Sequence, residues 1–183
     1  MRLWTLQPLG RLQDLEREGV IYGSETHAEF PEPYKWLVEQ MKQRLSGFSG
    51  NYPIWAWPKR PDLRLERWSC SEPGKSVLIE FEATPGTYLE SEYGLWHNVL
   101  NNCAVCDEHE FDSWHPHKQK NRDGYQDTWV RIFDLGYPLR NPEWFGSVDV
   151  QVTVDGLRKE QVRKVAHYTH AIKKEWLKKS HSL

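Results

Sequence analysis

Two kinds of apolar periodicity are interspersed along the chain, and together they predict one compact α+β domain over residues 1–183. Val148, Val150, Val152 and Val154 recur at every second position between Asp149, Gln151, Thr153 and Asp155, the pattern of a strand. Tyr34, Leu37, Val38, Met41 and Leu45 recur at helical spacing instead. The third observation is ten tryptophans, with eight tyrosines and six phenylalanines. A buried tryptophan covers roughly 150–250 Å². These residues therefore supply a substantial core despite a mean hydropathy of −0.77. A mixed or antiparallel sheet with several short helices is expected, and no stretch reads as a linker between domains.

Leu3-Trp4-Thr5-Leu6 predicts a first strand. Pro8 then opens a helix with Leu9, Leu12 and Leu15 on one face and Gly19 at its C-terminal cap. Val20-Ile21-Tyr22 reads as a second short strand, and the helix after Pro31 and Pro33 runs to Gly47. Tyr52-Pro53-Ile54-Trp55-Ala56-Trp57 is an aromatic strand broken by Pro58; Pro53 restricts its start to an edge or a strand entry. Residues 59–73 are polar and carry Arg60, Arg64 and Arg67.

Residues 76–84 form a strand with Val77, Ile79 and Phe81 on one face. Ser91 is positioned to cap a helix that packs Leu95, Trp96, Val99 and Leu100. Residues 102–126 form a polar, His-rich insertion without periodicity. Asp127 or Thr128 then caps a short helix with Trp129, Ile132 and Phe133 inward. After Arg158, Val162, Val165, Thr169, Ile172 and Trp176 suit a helix, whereas 165–169 also suits a last strand. Residues 170–183 are a basic tail.

Charge excludes some classes of function. The net charge is −2 and the pI is near 6.4, which argues against a general nucleic-acid coat protein. Charge is nevertheless uneven: eight acidic and no basic residues lie between Glu80 and Asp112, and the chain from Arg158 onward carries a net +6. That tail suits a phosphate or a nucleic acid, or docking on the acidic stretch. No run of apolar residues is long enough for a membrane span or an export signal, so a cytoplasmic protein is expected. Three cysteines cannot all pair within the chain, which fits a reducing compartment.

His97, Cys103, Cys106, His109, His115 and His117 crowd together. Cys103-x-x-Cys106 has knuckle spacing, and with His115 and His117 it makes a candidate zinc site. A redox pair and an unliganded polar loop are the alternatives. Carboxylates on the alternating strands wet an outer face or, facing a pocket, serve as a base or hold a ribose hydroxyl. The chain has no glycine-rich phosphate loop and no G-x-S-x-G elbow.

Several blocks carry a family resemblance: Leu3-Trp4-Thr5 with Gln7-Pro8; Trp36-Leu37 with Gln40-Met41; Tyr52 to Trp57; Leu95-Trp96-His97 with Val99-Leu100-Asn101; and Trp129 with Arg131 to Leu135. Spread over residues 3–157, they resemble an uncharacterised family of small bacterial proteins, a domain of unknown function. The first strand, its helix and Gly19 are also similar to the opening of the ADP-ribosyltransferase fold. In catalytic members of that fold, a first-strand His or Arg, a Tyr or Ser on a later strand and a late-strand Glu hold NAD. Here Thr5 stands at the first position, and the late strand offers Gln151, Thr153 and Asp155. Two of the three groups are therefore changed, and transfer would lose electrostatic stabilisation.

The resulting expectation is an aromatic-walled cleft for a nucleotide-like ligand such as NAD or an RNA end. Trp4, Trp55, Trp57 and Trp96 form its wall; Gln7 and His97 make polar contacts; Arg60, Arg64 and Arg67 neutralise phosphate. Asp155 and Gln151 are the catalytic candidates for glycosyl transfer. The alternative is a non-catalytic interaction or regulatory domain, with zinc stapling the Cys/His segment.

Overall fold

The computed structural model describes residues 1–63, 75–112 and 124–168. Its main elements, in chain order, are β1 (Arg2–Pro8), α1 (Leu9–Glu18), β2 (Val20–Ile21), α2 (Pro31–Arg44), β3 (Ile54–Ala56), β4 (Ser76–Glu82), β5 (Tyr88–Glu92) and α3 (Tyr93–Leu100). After a 3₁₀ helix at Gln126–Phe133 come β6 (Val150–Val154), β7 (Leu157–Arg158) and β8 (Val162–Tyr168). Pro8 stands at the N-cap of α1, where its missing N–H leaves nothing unpaired. Gly19 closes α1 at φ 79°, and its N–H donates to Leu15 O.

All strand pairs are antiparallel: β1-β4-β8, β3-β6-β5 and the short β2-β7 ribbon. Trp4 and Trp57 exchange both backbone hydrogen bonds (3.0 and 2.8 Å), which joins β1 to the end of β3. The strands therefore run β8-β4-β1-β3-β6-β5 as one continuous order.

Alternation sends side chains to two faces. On one face Leu3, Val77, Ile79 and Phe81 meet Ile54, Ala56, Val152 and Val154, with Leu15 of α1 packed among them. Burying a side chain such as Phe81 contributes about 1.5–3 kcal/mol. The opposite face of β3-β6-β5 sends Trp55 and Leu89 into a second core. That core is built by Leu37 and Met41 of α2, Trp96 and Val99 of α3, and Trp129 and Ile132. Strand β6 is thus covered on both faces, so Gln151 and Thr153 lie buried where the alternation pattern alone suggests a wet outer face.

Other elements depart from expectation as well. Of the two readings left open for the segment after Arg158, the strand is the one formed, over residues 162–168: Val162 and Val165 pack on the first core, and β4 supplies the backbone partners. A register shift between Glu80 and Phe81 lets Lys164 oppose Glu80 while Val162 opposes Phe81. Strand β5 has no clear apolar alternation and was not expected. Glu92, not Ser91, caps α3, accepting from Leu95 N at 2.6 Å. Its other carboxylate oxygen accepts from Asp149 N at 3.0 Å. Thr128 does not cap: it is buried in the 3₁₀ helix, donates to Tyr125 O and accepts from Val105 N. Residues 108–112 of the His-rich insertion form a helical turn. Residues 113–123 of that insertion, and the basic tail, lie outside the described residues.

Candidate functional site

The outer face of β1-β4-β8 brings together two of the sequence-derived binding residues, Trp4 and Arg60. Trp4, Glu80 and Lys164 stand side by side across three strands, because Trp4 pairs with Glu80 and Glu80 with Lys164. Directly paired residues project to the same face, so the Trp4–Trp57 bridge extends this row by a second indole. Trp4, Arg60, Leu78, Glu80, Lys164 and Ala166 line a pocket of about 90 Å³. Arg60 and Lys164 are exposed cations, and Trp4 is half-buried. Glu80 is held from the side by Arg2, with Nε 3.4 Å from its carboxylate. Leu78 and Ala166 give the pocket an apolar side beside its charged one.

This arrangement offers an aromatic ring for stacking and two cations for an anion, with a carboxylate between them. Lys164 was not among the sequence-derived candidates. Its signal was the cross-strand register, which depends on the register shift beside Glu80 and cannot be read from local spacing.

The four-tryptophan wall divides. Trp55 and Trp96 pack against each other in the second core, ring centroids 5.2 Å apart. Trp55 Nε1 donates to the Tyr34 hydroxyl at 3.1 Å, and Tyr34 meets Trp96 edge-on. Burial pushes the Tyr34 phenol above its ordinary pKa. These rings serve packing. Gln7 donates to Thr5 Oγ1, which in turn donates to Trp55 O at 2.7 Å, tying β1 to β3. His97 lies on the exposed side of α3, its Nδ1 2.8 Å from Tyr93 O. Arg64 and Arg67 lie outside the described residues.

Gln151 and Asp155 do not share a site. They are four residues apart on an extended strand, about 13 Å along its axis. Gln151 points into the interior on the second-core side, 3% exposed. Asp155 lies past the end of β6 and accepts from Ser49 N (3.1 Å) and Ser49 Oγ (2.5 Å), fixing the turn after α2. It borders a separate pocket of about 130 Å³ with Tyr22, Phe48 and Arg158. Three buried atoms here have no hydrogen-bond partner among the described residues: Gln151 Nε2, Ser91 Oγ and Thr153 Oγ1. Left unsatisfied, each would cost roughly 1–3 kcal/mol.

The Cys/His segment is stitched to its surroundings by hydrogen bonds. Trp129 Nε1 donates to Cys103 O at 2.8 Å, and Trp144 Nε1 donates to Cys106 O at 3.2 Å. Cys103 is exposed and Cys106 buried. Burial, with nearby Glu110, pushes the Cys106 thiol up, which disfavours the thiolate a metal would need. Among the described residues, no three His, Cys, Asp or Glu side chains gather around one point; His115 and His117 lie outside them.

A network that sequence reasoning missed braces the same region. Arg131 grips Glu110 through both terminal guanidinium nitrogens, Nη1 and Nη2, at 2.6 and 2.9 Å. It also donates to Val105 O, while the Tyr137 hydroxyl donates to Glu110 at 2.9 Å. Burial alone would raise the Glu110 pKa, but the Arg131 and Tyr137 hydrogen bonds outweigh it and hold the carboxyl below its usual range. Burial, then the Glu110 hydrogen bond, pushes the Tyr137 phenol well above its ordinary value. Twenty-one residues separate Arg131 from Glu110, so only the fold brings them together.

Among the described residues, no helix is long and apolar enough to cross a membrane. No curated protein and no solved structure matches the chain. Residues 2–132 match the model of a domain of unknown function, DUF3841, and so take in β1, Trp4, Arg60 and Glu80 but not Lys164. With well over half its length matched, the chain belongs to the DUF3841 family.

Proposed function

We propose that this protein binds a phosphate-bearing, nucleotide-like ligand on the outer face of β1-β4-β8. The observation that carries the reading is the grouping of Trp4, Arg60 and Lys164 around one pocket. An indole offers a stacking surface to any base, and two cations offer charge-assisted hydrogen bonds to phosphate. A pocket of about 90 Å³ takes one ring or one phosphate. A dinucleotide such as NAD would seat one end there and run across the sheet toward Trp57.

The reading concerns binding rather than transfer. Gln151 and Asp155 lie apart from the Trp4 pocket and from each other, so the glycosyl-transfer expectation gains no support from their placement. The similarity of β1 and α1 to the ADP-ribosyltransferase opening supports NAD as a first probe and nothing more specific.

Thermal unfolding with AMP, NAD or inorganic phosphate tests the proposal. A ligand at about 100 times its dissociation constant adds roughly 2.7 kcal/mol, which raises the midpoint of a chain this size by several degrees. Trp4→Leu should abolish the rise while leaving the ligand-free midpoint within about 2 °C. No rise with any of the three probes would overturn the proposal and favour a non-catalytic interaction protein.

A further inference from the structure

Ser91 and Gln151 are direct cross-strand partners on β5 and β6, and Thr153 follows Gln151 on the same face. Cβ atoms of such a pair lie about 5 Å apart, and same-face neighbours along a strand about 7 Å apart. The three unpartnered atoms therefore form one short strip, each with less than 1 Å² exposed. Both flanks of the strip are apolar. Leu89 and Trp55, the cross-strand partners of Thr153, lie beside it and pack with Trp96 in the second core, while Val152 on the reverse face belongs to the first core. Native interiors leave only a few polar groups per hundred residues unpaired, and three gathered in one strip call for a shared explanation.

We propose that this strip is an internal hydration site, holding one or two water molecules between β5-β6 and the helices over them. The chemistry of the strip favours water over a larger guest. All three groups are neutral, two are hydroxyls able to donate and accept, and one is an amide N–H₂ with two donors. A water accepting from Gln151 Nε2 and donating to Ser91 Oγ satisfies both, and a second reaches Thr153 Oγ1; two to four such partners are what a buried water needs. Gln151 is thereby a structural residue that ties β6 to β5 through solvent, independent of the Trp4 pocket.

The sign of a stability change tests this. Thr153→Val keeps the shape and removes the hydroxyl. If water satisfies that hydroxyl, the variant forfeits a hydrogen bond and its melting midpoint falls by about 2–4 °C. If the hydroxyl is truly orphaned, its removal raises the midpoint, and the proposal is overturned. Ser91→Ala gives the same test at the other end of the strip, should Thr153→Val fold poorly. Oxygen-17 relaxation dispersion counts long-lived internal waters directly. The Ser91→Ala/Thr153→Val double variant should lose at least one, and an unchanged count would also overturn the proposal.

Discussion

At the residue scale, the Arg131–Glu110–Tyr137 cluster makes stability depend on pH in a definite direction. Glu110 has a folded-state pKa below its unfolded value, so its contribution is present above the unfolded carboxylate range, near 4.3. It is lost as pH falls through the lower folded value. Tyr137 behaves the opposite way. Its folded pKa is raised, so its contribution is full below about 10 and is lost as pH rises beyond that. Glu110→Gln should lower stability at neutral pH by roughly 1 kcal/mol, a modest figure because the Glu110 side chain is 32% exposed and partly screened. The variant should also flatten the acid limb of the stability profile. Urea unfolding across pH 2–7 checks this, and an acid limb as steep as the parent's would show that other carboxylates set it.

At the element scale, two glycines separate backbone necessity from mere tolerance. A Cβ on Gly23 would sit 2.2 Å from Pro53 O, because Gly23 N donates to Tyr52 O and the two segments lie in contact. Gly23→Ala should therefore push the β2 exit away from the entry to β3 and cost about 2–4 kcal/mol. Gly10 lies within α1 with nothing near its Cβ position. Gly10→Ala should stabilise by about 0.5–1 kcal/mol through helix propensity. Chemical denaturation of both variants checks the contrast, and equal effects would contradict it.

The same scale shows what the sequence made legible. β1, α1, α2, β4 and α3 declared themselves through periodicity and through Pro8 and Gly19, because each sets apolar residues at regular spacing on a buried face. β5 did not, since Tyr-Leu-Glu-Ser-Glu carries two carboxylates, one of which is committed to capping α3. Residues 162–168 were ambiguous because Val162 and Val165 are three apart, a helical spacing that the register shift against β4 converts into strand packing. The site was legible in part. Trp4 and Arg60 were named as candidates by residue type, but the place of Lys164 beside them follows from pairings between distant strands, Trp4 with Glu80 and Glu80 with Lys164.

For the whole molecule, one run of six strands separates two kinds of surface. The β3-β6-β5 end is covered by α2 and α3, which sequesters Trp55, Trp96 and Gln151. The β1-β4-β8 end leaves Trp4, Arg60 and Lys164 within reach of solvent. Packing explains most of the aromatic content, and the outer face groups Trp4, Arg60 and Lys164, on which the proposed binding rests.

The ten tryptophans give that division a direct test. In a nitrogen-15 correlation spectrum each indole N–H is a separate reporter, and titration with NAD or AMP reads them together. The signals of Trp4 and Trp57 should shift in a saturable manner, while those of Trp96 and Trp129, buried in the second core, stay in place. Saturable shifts at Trp96 and Trp55 with Trp4 unmoved, or no shifts at all, would contradict the outer-face binding site.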